Sequence, residues 1–525
     1  MKLRYDKENE EFIVTESTRI EYHQLELWLT RHVKGWKYQP AVRAGVWDGK
    51  MSYFKNGRFS MGLWKEAVTG LKQIETNFQI ENKNDFPLNR DVSLQDVQEF
   101  SDEFFKDHKF KKKDDNWVKF TPYEHQVQSA FKIIKNKYCL AEVATSGGKT
   151  LIISLVYFYI LKKINPDAKL LIITPSISLV TQFYDELIDF NLGHNVKHDG
   201  GNKNPIDLRI EEVMSEKPRK HNREEEANVY IGTYQSLEKW PKEFFHQFYM
   251  VAVDESHKAK ASTITKILKR TFKKAEYRFG VSGTFPGEDT CEILTIQSVL
   301  GPKITEVSAD ELRAKGIITP MEIKAVIMNH DNTKFGDQVN EVRKVSGRDA
   351  HLLEKDFIHN SDKRLDFISK IVNKCKGNVL VLFHTIDYGK QILDKLTKEM
   401  PERDFYYIDG EVSGKKREVI KAEMEKSEEN MKVLIGSYGC LSTGVSIRYI
   451  THIVFADSFK SEQIVIQSIG RGLRLHEKKD KLVVFDLVDV FNSENFNNIL
   501  YSHFKERTKF YVKRKYPYKT IRINL

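Results

Sequence analysis

The sequence predicts an α/β protein: two tandem lobes, each built on a parallel sheet, preceded by a small α/β (α+β) amino-terminal domain. Three observations lead there. Short, wholly apolar, β-rich runs alternate with longer amphipathic stretches, the pattern of parallel strands covered on both faces by helices. These runs fall into two series, one over 139–282 and one after about residue 370, so two similar lobes stand in tandem. The first run leads into a loop of small residues that ends in lysine and threonine, followed by an apolar helical stretch.

The elements follow in chain order. Residues 1–100 read as a separate nucleic-acid-binding domain, with Asn56-Gly57 as a hairpin turn between two alternating strands. Trp36, Tyr38, Trp47, Tyr53, Phe54, Phe59 and Trp64 are interspersed with Lys34, Lys37, Arg43, Lys50, Lys55 and Arg58. Aromatic rings beside cations suit exposed bases, although a small domain needs at least half of such rings for its core. Residues 101–118, rich in charge around Lys111, read as a linker. The first lobe is expected over 119–302, the second over 303–496, and a basic tail over 497–525.

The first lobe carries the most informative stretch, Ala144-Thr145-Ser146-Gly147-Gly148-Lys149-Thr150. A strand, a small-residue loop and a helix start aim backbone N–H groups at an anion, at the positive end of the helix dipole. Lys149 suits the outer phosphates of ATP, and the Thr150 hydroxyl suits Mg²⁺. Asp254-Glu255-Ser256-His257 ends the run 250–253, on the rim where parallel sheets bind ligands. There Asp254 is a candidate for holding Mg²⁺, and Glu255 for orienting and deprotonating the attacking water. Ser282-Gly283-Thr284 ends the next run and could hydrogen-bond the Asp254 region. In the second lobe Gln467, Arg471 and Arg474 fall at i, i+4 and i+7, one face of a helix. Guanidinium groups there suit a γ-phosphate, where an arginine finger is worth about 10³–10⁵ in rate. Gly470 and Gly472 each weaken that helix by about 1 kcal/mol relative to Ala, which close packing against another lobe would explain. Asp409, Glu411 and Lys415 superficially suggest a nuclease cluster, but their place after a second-lobe strand fits a loop better.

Composition bounds the setting. The chain has 525 residues, 40% hydrophobic and 30% charged, as a soluble protein of three or four domains should. The apolar run 151–161 stops at Lys162-Lys163 and is too short to span a bilayer. Residues 1–8 lack the apolar core of a secretion signal, and the four cysteines have no paired spacing. A cytoplasmic protein follows (in the host cytoplasm if phage-encoded), with no membrane partner; the oligomeric state is open, with a monomer in solution the expectation. Of the net charge of +10, residues 31–65 carry +7 and 505–522 another +7, leaving −4 elsewhere. Charge confined to two aromatic-rich runs suits a polyanion partner.

With these motifs in this order, residues 119–490 resemble the superfamily 2 helicases, whose lobes are RecA-like. The resemblance implies that Gln126 reads adenine and that Thr145, Ser146, Gly147, Gly148, Lys149 and Thr150 form motif I. Asp254–His257 would be motif II and Ser282–Thr284 motif III. Thr174, Pro175 and Gln182 resemble the first strand-binding motif. Gly200, Gly201, Thr233, Gln235 and Ser236 resemble the next two. Phe383-His384 resembles motif IV, and Ser437 through Ser442, Thr443 and Gly444 motif V, with Gly444 counted at the nucleotide. Gln467, Arg471 and Arg474 belong to motif VI. His125 stands where relatives carry an aromatic residue, leaving adenine stacking to Tyr123 or to no residue. Ser446 replaces a frequent Asp, and Ser256-His257 closes the box in place of the Ala-Asp of dedicated RNA helicases.

More narrowly, Gly45–Gly49, Phe279–Thr284 and the Ser437–Gly444 segment resemble the UvsW family of bacteriophage recombination helicases, almost end to end. That resemblance implies ATP-driven remodelling of branched DNA (single-stranded/double-stranded junctions), with branch migration, fork regression and dissociation of RNA–DNA hybrids, in recombination, repair and replication control. An ATP-gated nucleic-acid clamp that never separates strands is the alternative reading.

Overall fold

The computed structural model describes residues 1–86, 89–111, 117–193, 205–214, 226–260, 262–271, 274–426, 431–441, 447, 449–476, 478–491 and 498–525. The contacts divide the chain into two compact units, 1–143 with 148–307, and 144–147 with 308–525.

The first unit begins with a four-stranded mixed sheet. β1 (Lys2–Asp6) pairs antiparallel with β2 (Glu11–Glu16). β3 (Thr30–His32) and β4 (Lys50–Ser52) form a separate short ladder. β5 (Arg58–Ser60) joins β2, and β6 (Gln79–Ile80) runs parallel to β1. The Asn56-Gly57 turn forms, with positive φ at both residues (51° and 71°), as a two-residue hairpin turn requires. Its flanking strands do not pair with each other along their length, because β4 belongs with β3 and β5 with β2. Phe12 stacks on Trp64 at 4.4 Å and on Phe59 at 5.3 Å, and these rings with Phe54 form this domain's core.

The described residues of 101–118 are largely helix and strand. The helix Leu94–Phe104 opens with a capping box, Ser93 with Asp96, and the antiparallel pair β7 (Lys109–Lys111) and β8 (Trp117–Lys119) follows. Phe100 meets Tyr159 and Phe104 meets Phe158, so this helix covers the outer face of the helix Lys149–Lys163. That explains why every residue from Thr150 to Leu161 is buried: sheet lies on one side and aromatic rings on the other.

The first lobe has seven parallel strands in the order β11-β12-β10-β13-β14-β9-β15. In chain order they are β9 (Tyr138–Val143), β10 (Leu170–Thr174), β11 (Ile210–Val213), β12 (Val229–Thr233), β13 (Met250–Asp254), β14 (Tyr277–Ser282) and β15 (Lys303–Val307). β15 pairs with β9, so the lobe runs to Val307 and not to 302. The second lobe is likewise seven parallel strands, in the order β18-β19-β17-β20-β21-β16-β22. These are β16 (Met321–His330), β17 (Val379–Phe383), β18 (Asp404–Ile408), β19 (Lys432–Ser437), β20 (His452–Phe455), β21 (Leu482–Phe491) and β22 (Tyr518–Asn524). The fold is therefore two tandem RecA-like lobes preceded by a small α+β domain, as expected.

Residues 498–525 form a helix and a strand within the second unit. β22 pairs with β16 over seven positions. Arg507, on the helix Ile499–Lys513, is buried with its guanidinium on both oxygens of Asp486 (3.0 and 2.8 Å), and Tyr511 donates to the same carboxylate. Arg514 pairs with Glu462 and Lys519 with Glu322, so much of the +7 in this run is answered within the lobe.

Candidate nucleotide and nucleic-acid site

Parallel strands bring their carboxyl ends to one edge. Register aligns Thr174 with Thr233, Asp254 with Val281, and Ser282 with Glu142. One strand, β14, separates β9 from β13, so the phosphate loop and the acidic box start about 10 Å apart at ~4.8 Å per strand. The Lys149 side chain closes the gap: its Nζ lies 2.9 Å from Glu255 Oε1. Ser282, at the end of the intervening strand, lies 2.7 Å from His257 Nδ1 and 3.4 Å from Glu255 Oε2. The motif III serine thus meets Glu255 and His257, and its hydroxyl also reaches the Thr284 carbonyl at 2.8 Å.

The backbone here is strained as well as charged. Ser146 (φ 70°) and Glu255 (φ 48°) occupy the left-handed region without being glycine, conformations that persist where a site over-determines them. Gly148 (φ 81°) lies in the left-handed region that favours glycine, and a Cβ there would lie 2.1 Å from Gln126 Nε2 and displace that amide. Gln126 is buried against the loop and accepts the Tyr123 N–H at 2.8 Å through Oε1, which closes the start of the helix Glu124–Asn136. His125 is buried, and its ring lies parallel to that of Tyr123, which is 47% exposed.

Electrostatics separate the two carboxylates. Burial pushes Asp254 up to about 7, with Glu255 adding to the rise and Lys149 opposing it. Glu255 suffers burial too, but Lys149 and His257 outweigh it and hold the carboxyl well below its ordinary value. Burial lowers His257, against the pull of Glu255. Asp254 Oδ1 is buried with no hydrogen-bond partner among the described residues, and Thr150 is buried nearby at the helix start. One orphaned carboxylate oxygen and one hydroxyl fit Mg²⁺, which takes few protein ligands and completes its shell with water and phosphate. The described residues hold no cluster of three or more His, Cys, Asp or Glu suited to a metal.

The strand-binding candidates divide by orientation. Thr174 is buried and donates to the Ser176 carbonyl, beside half-buried Pro175. Gln182 donates to Glu186 on its own helix. Thr233 caps the short helix Tyr234–Leu237 by accepting the Ser236 N–H, and Thr233 and Ser236 also join through their hydroxyls, both buried. Gln235 between them is exposed. In the second lobe His384 is exposed, with its backbone N–H on Asp457 Oδ2 at 2.8 Å and its ring edge-on to Phe459. Ser437 is half-buried and accepts the Cys440 N–H. Gly200, Gly201, Ser442, Thr443, Gly444 and Ser446 lie outside the described residues.

The arginine helix differs from expectation. It spans Glu462–Arg471 and ends at Gly472, so Gln467 and Arg471 share a face while Arg474 lies beyond the helix. Lys479 explains the stop. Its buried ammonium donates to the carbonyls of Gly472 and Arg474, and the Thr319 hydroxyl takes the Arg474 carbonyl as well. Gly472 packs against Leu482 of its own lobe, where a Cβ would meet a Leu482 methyl at 2.5 Å, so that glycine needs no second lobe to account for it. Two contributors escaped the sequence reading. Asp457, two residues past the end of β20, is held down to about 2: burial opposes this, but His359 and Lys355 prevail with the His384 N–H. Lys479 had no local signal at all.

Known proteins resemble this chain over most of its length. Residues 123–293 match the DEAD/DEAH box helicase family and residues 363–476 the helicase conserved C-terminal domain. The chain is 28% identical over 524 residues to the ATP-dependent DNA helicase uvsW of Enterobacteria phage T4, covering 96% of each. Against the crystal structure of T4 UvsW it aligns over 100% of this chain and 99% of that one, with a TM-score of 0.48 and 23% identity. Against S. cerevisiae Dbp5 bound to RNA and ADP BeF3 it aligns over 77% and 90%, with a TM-score of 0.51 and 16% identity. No helix among the described residues is long and apolar enough to cross a membrane.

Proposed function

This chain is an ATP-dependent helicase of superfamily 2 that resembles UvsW, and from that premise we propose that it uses ATP to remodel branched DNA. Branch migration, fork regression and dissociation of RNA–DNA hybrids are the reactions proposed. The observation that carries the chemistry is the Lys149–Glu255 ion pair, joined through Ser282 and His257 to the end of β14.

ATP competes for Lys149. When the β- and γ-phosphates take its ammonium, Glu255 loses the nearest positive charge, and its carboxyl becomes basic enough to accept a proton from the attacking water. His257 and Ser282 keep that carboxylate aimed while Lys149 is away. A Mg²⁺ ion, held by Thr150 and Asp254 Oδ1, would neutralise phosphate charge. The backbone N–H groups of 145–150 cradle the phosphates, Tyr123 stacks on adenine, and Gln126 lies against the phosphate loop. Arg471 and Arg474 answer charge that develops in the transition state, with Gln467 beside Arg471. Gln235, His384, Gln182 and Ser437 contact the phosphates of one strand, which favours little sequence preference.

The test compares ATP turnover and strand displacement on a fork, a four-way junction and an RNA–DNA hybrid. Wild type should turn over ATP in response to DNA and displace strands. Glu255→Gln should lower turnover by about 10²–10⁴, and Lys149→Ala should abolish it. Full turnover in either variant overturns the assignment. ATP-dependent binding without displacement on any substrate would establish the clamp instead.

A further inference from the structure

Between β3 and β4 the chain makes an excursion that buries almost nothing of itself. No residue from Val33 to Asp48 is buried, yet the segment carries Trp36, Tyr38, Val46 and Trp47. Tyr38 is 77% exposed and Val46 81%. Soluble proteins expose contiguous apolar surface of this kind chiefly where something binds. The three domain-core rings Phe54, Phe59 and Trp64 lie elsewhere, so the sequence divides its aromatics between a core and this arm.

The arm is ordered by its own contacts. The Trp36 ring stacks on His32 at 4.2 Å, with the planes 15° apart, and Lys37 Nζ lies 5.5 Å from the Trp36 ring centre. The Arg43 guanidinium sits 6.0 Å from the ring of Tyr38. The backbone N–H groups of Val46 and Trp47 both donate to the Ala41 carbonyl, and the Trp47 indole donates to the Lys50 carbonyl at 3.0 Å. Its base is pinned to the ATPase lobe. Cys291 Sγ donates to the Arg31 carbonyl, and Tyr53, just past β4, donates to the Cys291 carbonyl at 2.7 Å. Cys291 opens the helix that follows motif III, so whatever the arm holds moves with the lobe that holds ATP.

Residues 31–50 hold five Lys/Arg and one acid, Asp48, a net +4. The Asp48 carboxylate accepts the Lys50 N–H at 2.9 Å within its own turn. A partner must therefore offer both negative charge and flat apolar faces. Duplex DNA offers the first and hides the second inside its stack; a protein acidic patch offers no regular flat faces. Unpaired nucleotides offer both. We infer that the arm 33–49 is a stacking platform for unpaired bases where a duplex opens into single strand, with Tyr38 taking a base and Arg43 and Lys37 the flanking phosphates. This rests on the helicase reading only for its purpose, since the arm's binding is read without ATP.

The test uses the full-length chain and measures, without nucleotide, the affinity for a short single strand, a blunt duplex and a fork carrying 2-aminopurine at the branch. Tyr38→Ala should weaken binding to the fork and the single strand about tenfold, leave the duplex unchanged and abolish the change in 2-aminopurine emission. Tyr38→Phe should restore all three. Arg43→Ala should lower the salt slope by about 0.7, whereas Tyr38→Ala should leave it alone. Equal loss on duplex and fork, or an unchanged 2-aminopurine signal in Tyr38→Ala, overturns the inference. Because Tyr38 is exposed, its variants should unfold at the wild-type temperature, and a lowered one would make the effect structural and equally overturn it. Lys149→Ala should keep the 2-aminopurine response. Absent ATP turnover in wild type with that response intact would defeat the motor reading alone, and turnover without the response would defeat this one alone.

Discussion

Replacing Glu10 with alanine should cost the first unit far more stability than its place in a β1–β2 turn suggests. Glu10 is 4% exposed, in the left-handed region (φ 51°), and both its oxygens face the guanidinium of Arg278 on β14, itself 2% exposed. Burial disfavours the Arg278 charge, and Glu10 more than offsets that, leaving the guanidinium above its ordinary value. Removing one partner of a buried pair strands the other, at about 3–5 kcal/mol. Arg278 keeps its 2.7 Å bond to the Val299 carbonyl and its contact with the Tyr138 ring, so the lower end, about 3 kcal/mol, is expected. At about 2–4 °C per kcal/mol for large domains, the melting temperature should fall by about 6–12 °C in calorimetry or circular dichroism. Glu10→Leu combined with Arg278→Met removes both charges and should recover most of the loss. A fall under about 2 °C for Glu10→Ala, or a double variant as unstable as the sum of the singles, would refute the reasoning. The same pair shows why deleting residues 1–100 is a poor test of nucleic-acid binding. It would bare Arg278 and the face of the helix Cys291–Leu300 that meets Gly62, where a Cβ would lie 2.0 Å from the Gln297 carbonyl oxygen.

Other outcomes follow from the site. Because the folded Asp254 carboxyl is raised to about 7, the stability it lends is full below the ordinary carboxylate value and is lost as pH rises through about 7. Asp254→Asn should remove that slope, worth at most about 4 kcal/mol, and melt higher than wild type at pH 8 while hydrolysing no ATP; an unchanged slope between pH 5 and 8 would contradict this. Tyr123→Ala should raise KM for ATP about tenfold, and Tyr123→Phe should not; equal KM values would remove Tyr123 from the adenine. Lys479→Gln, which loosens the Gly472 and Arg474 carbonyls, should lower kcat several-fold with KM for ATP unchanged, as steady-state kinetics would show; a change confined to KM would separate Lys479 from Arg474.

What could be read beforehand was what neighbouring residues decide together. The central strands β10, β13 and β17 are buried at every residue and β9 at all but Tyr138, so they are apolar at nearly every position, and the phosphate loop and acidic box are spelled out over a few consecutive positions. The edge strands β11 and β22 escaped notice because one side carries no requirement: β11 reads IEEV, and β22 is exposed at nearly every residue. The helix Leu94–Phe104 was obscured by the charged residues after it, though its Ser93-x-x-Asp96 start and its Val97, Phe100, Phe104 spacing were present. Arg474 was misplaced because helical spacing continues in the sequence past the point where Lys479, remote in the pattern, ends the helix. Asp457 with His359, and Arg364 bidentate on Asp489, join residues roughly a hundred positions apart, which no local pattern reports.

The strand order carries a consequence for biosynthesis. β9 lies between β14 and β15, so the phosphate-loop strand gains its first lateral neighbour only once the ribosome has passed Ser282 and its second only after Val307. β16 likewise waits for β21 on one side and β22 on the other, nearly two hundred residues downstream and about 10–40 s at ordinary elongation rates. During that interval an apolar parallel strand is exposed on the nascent chain, and holdase chaperones should find their principal target there.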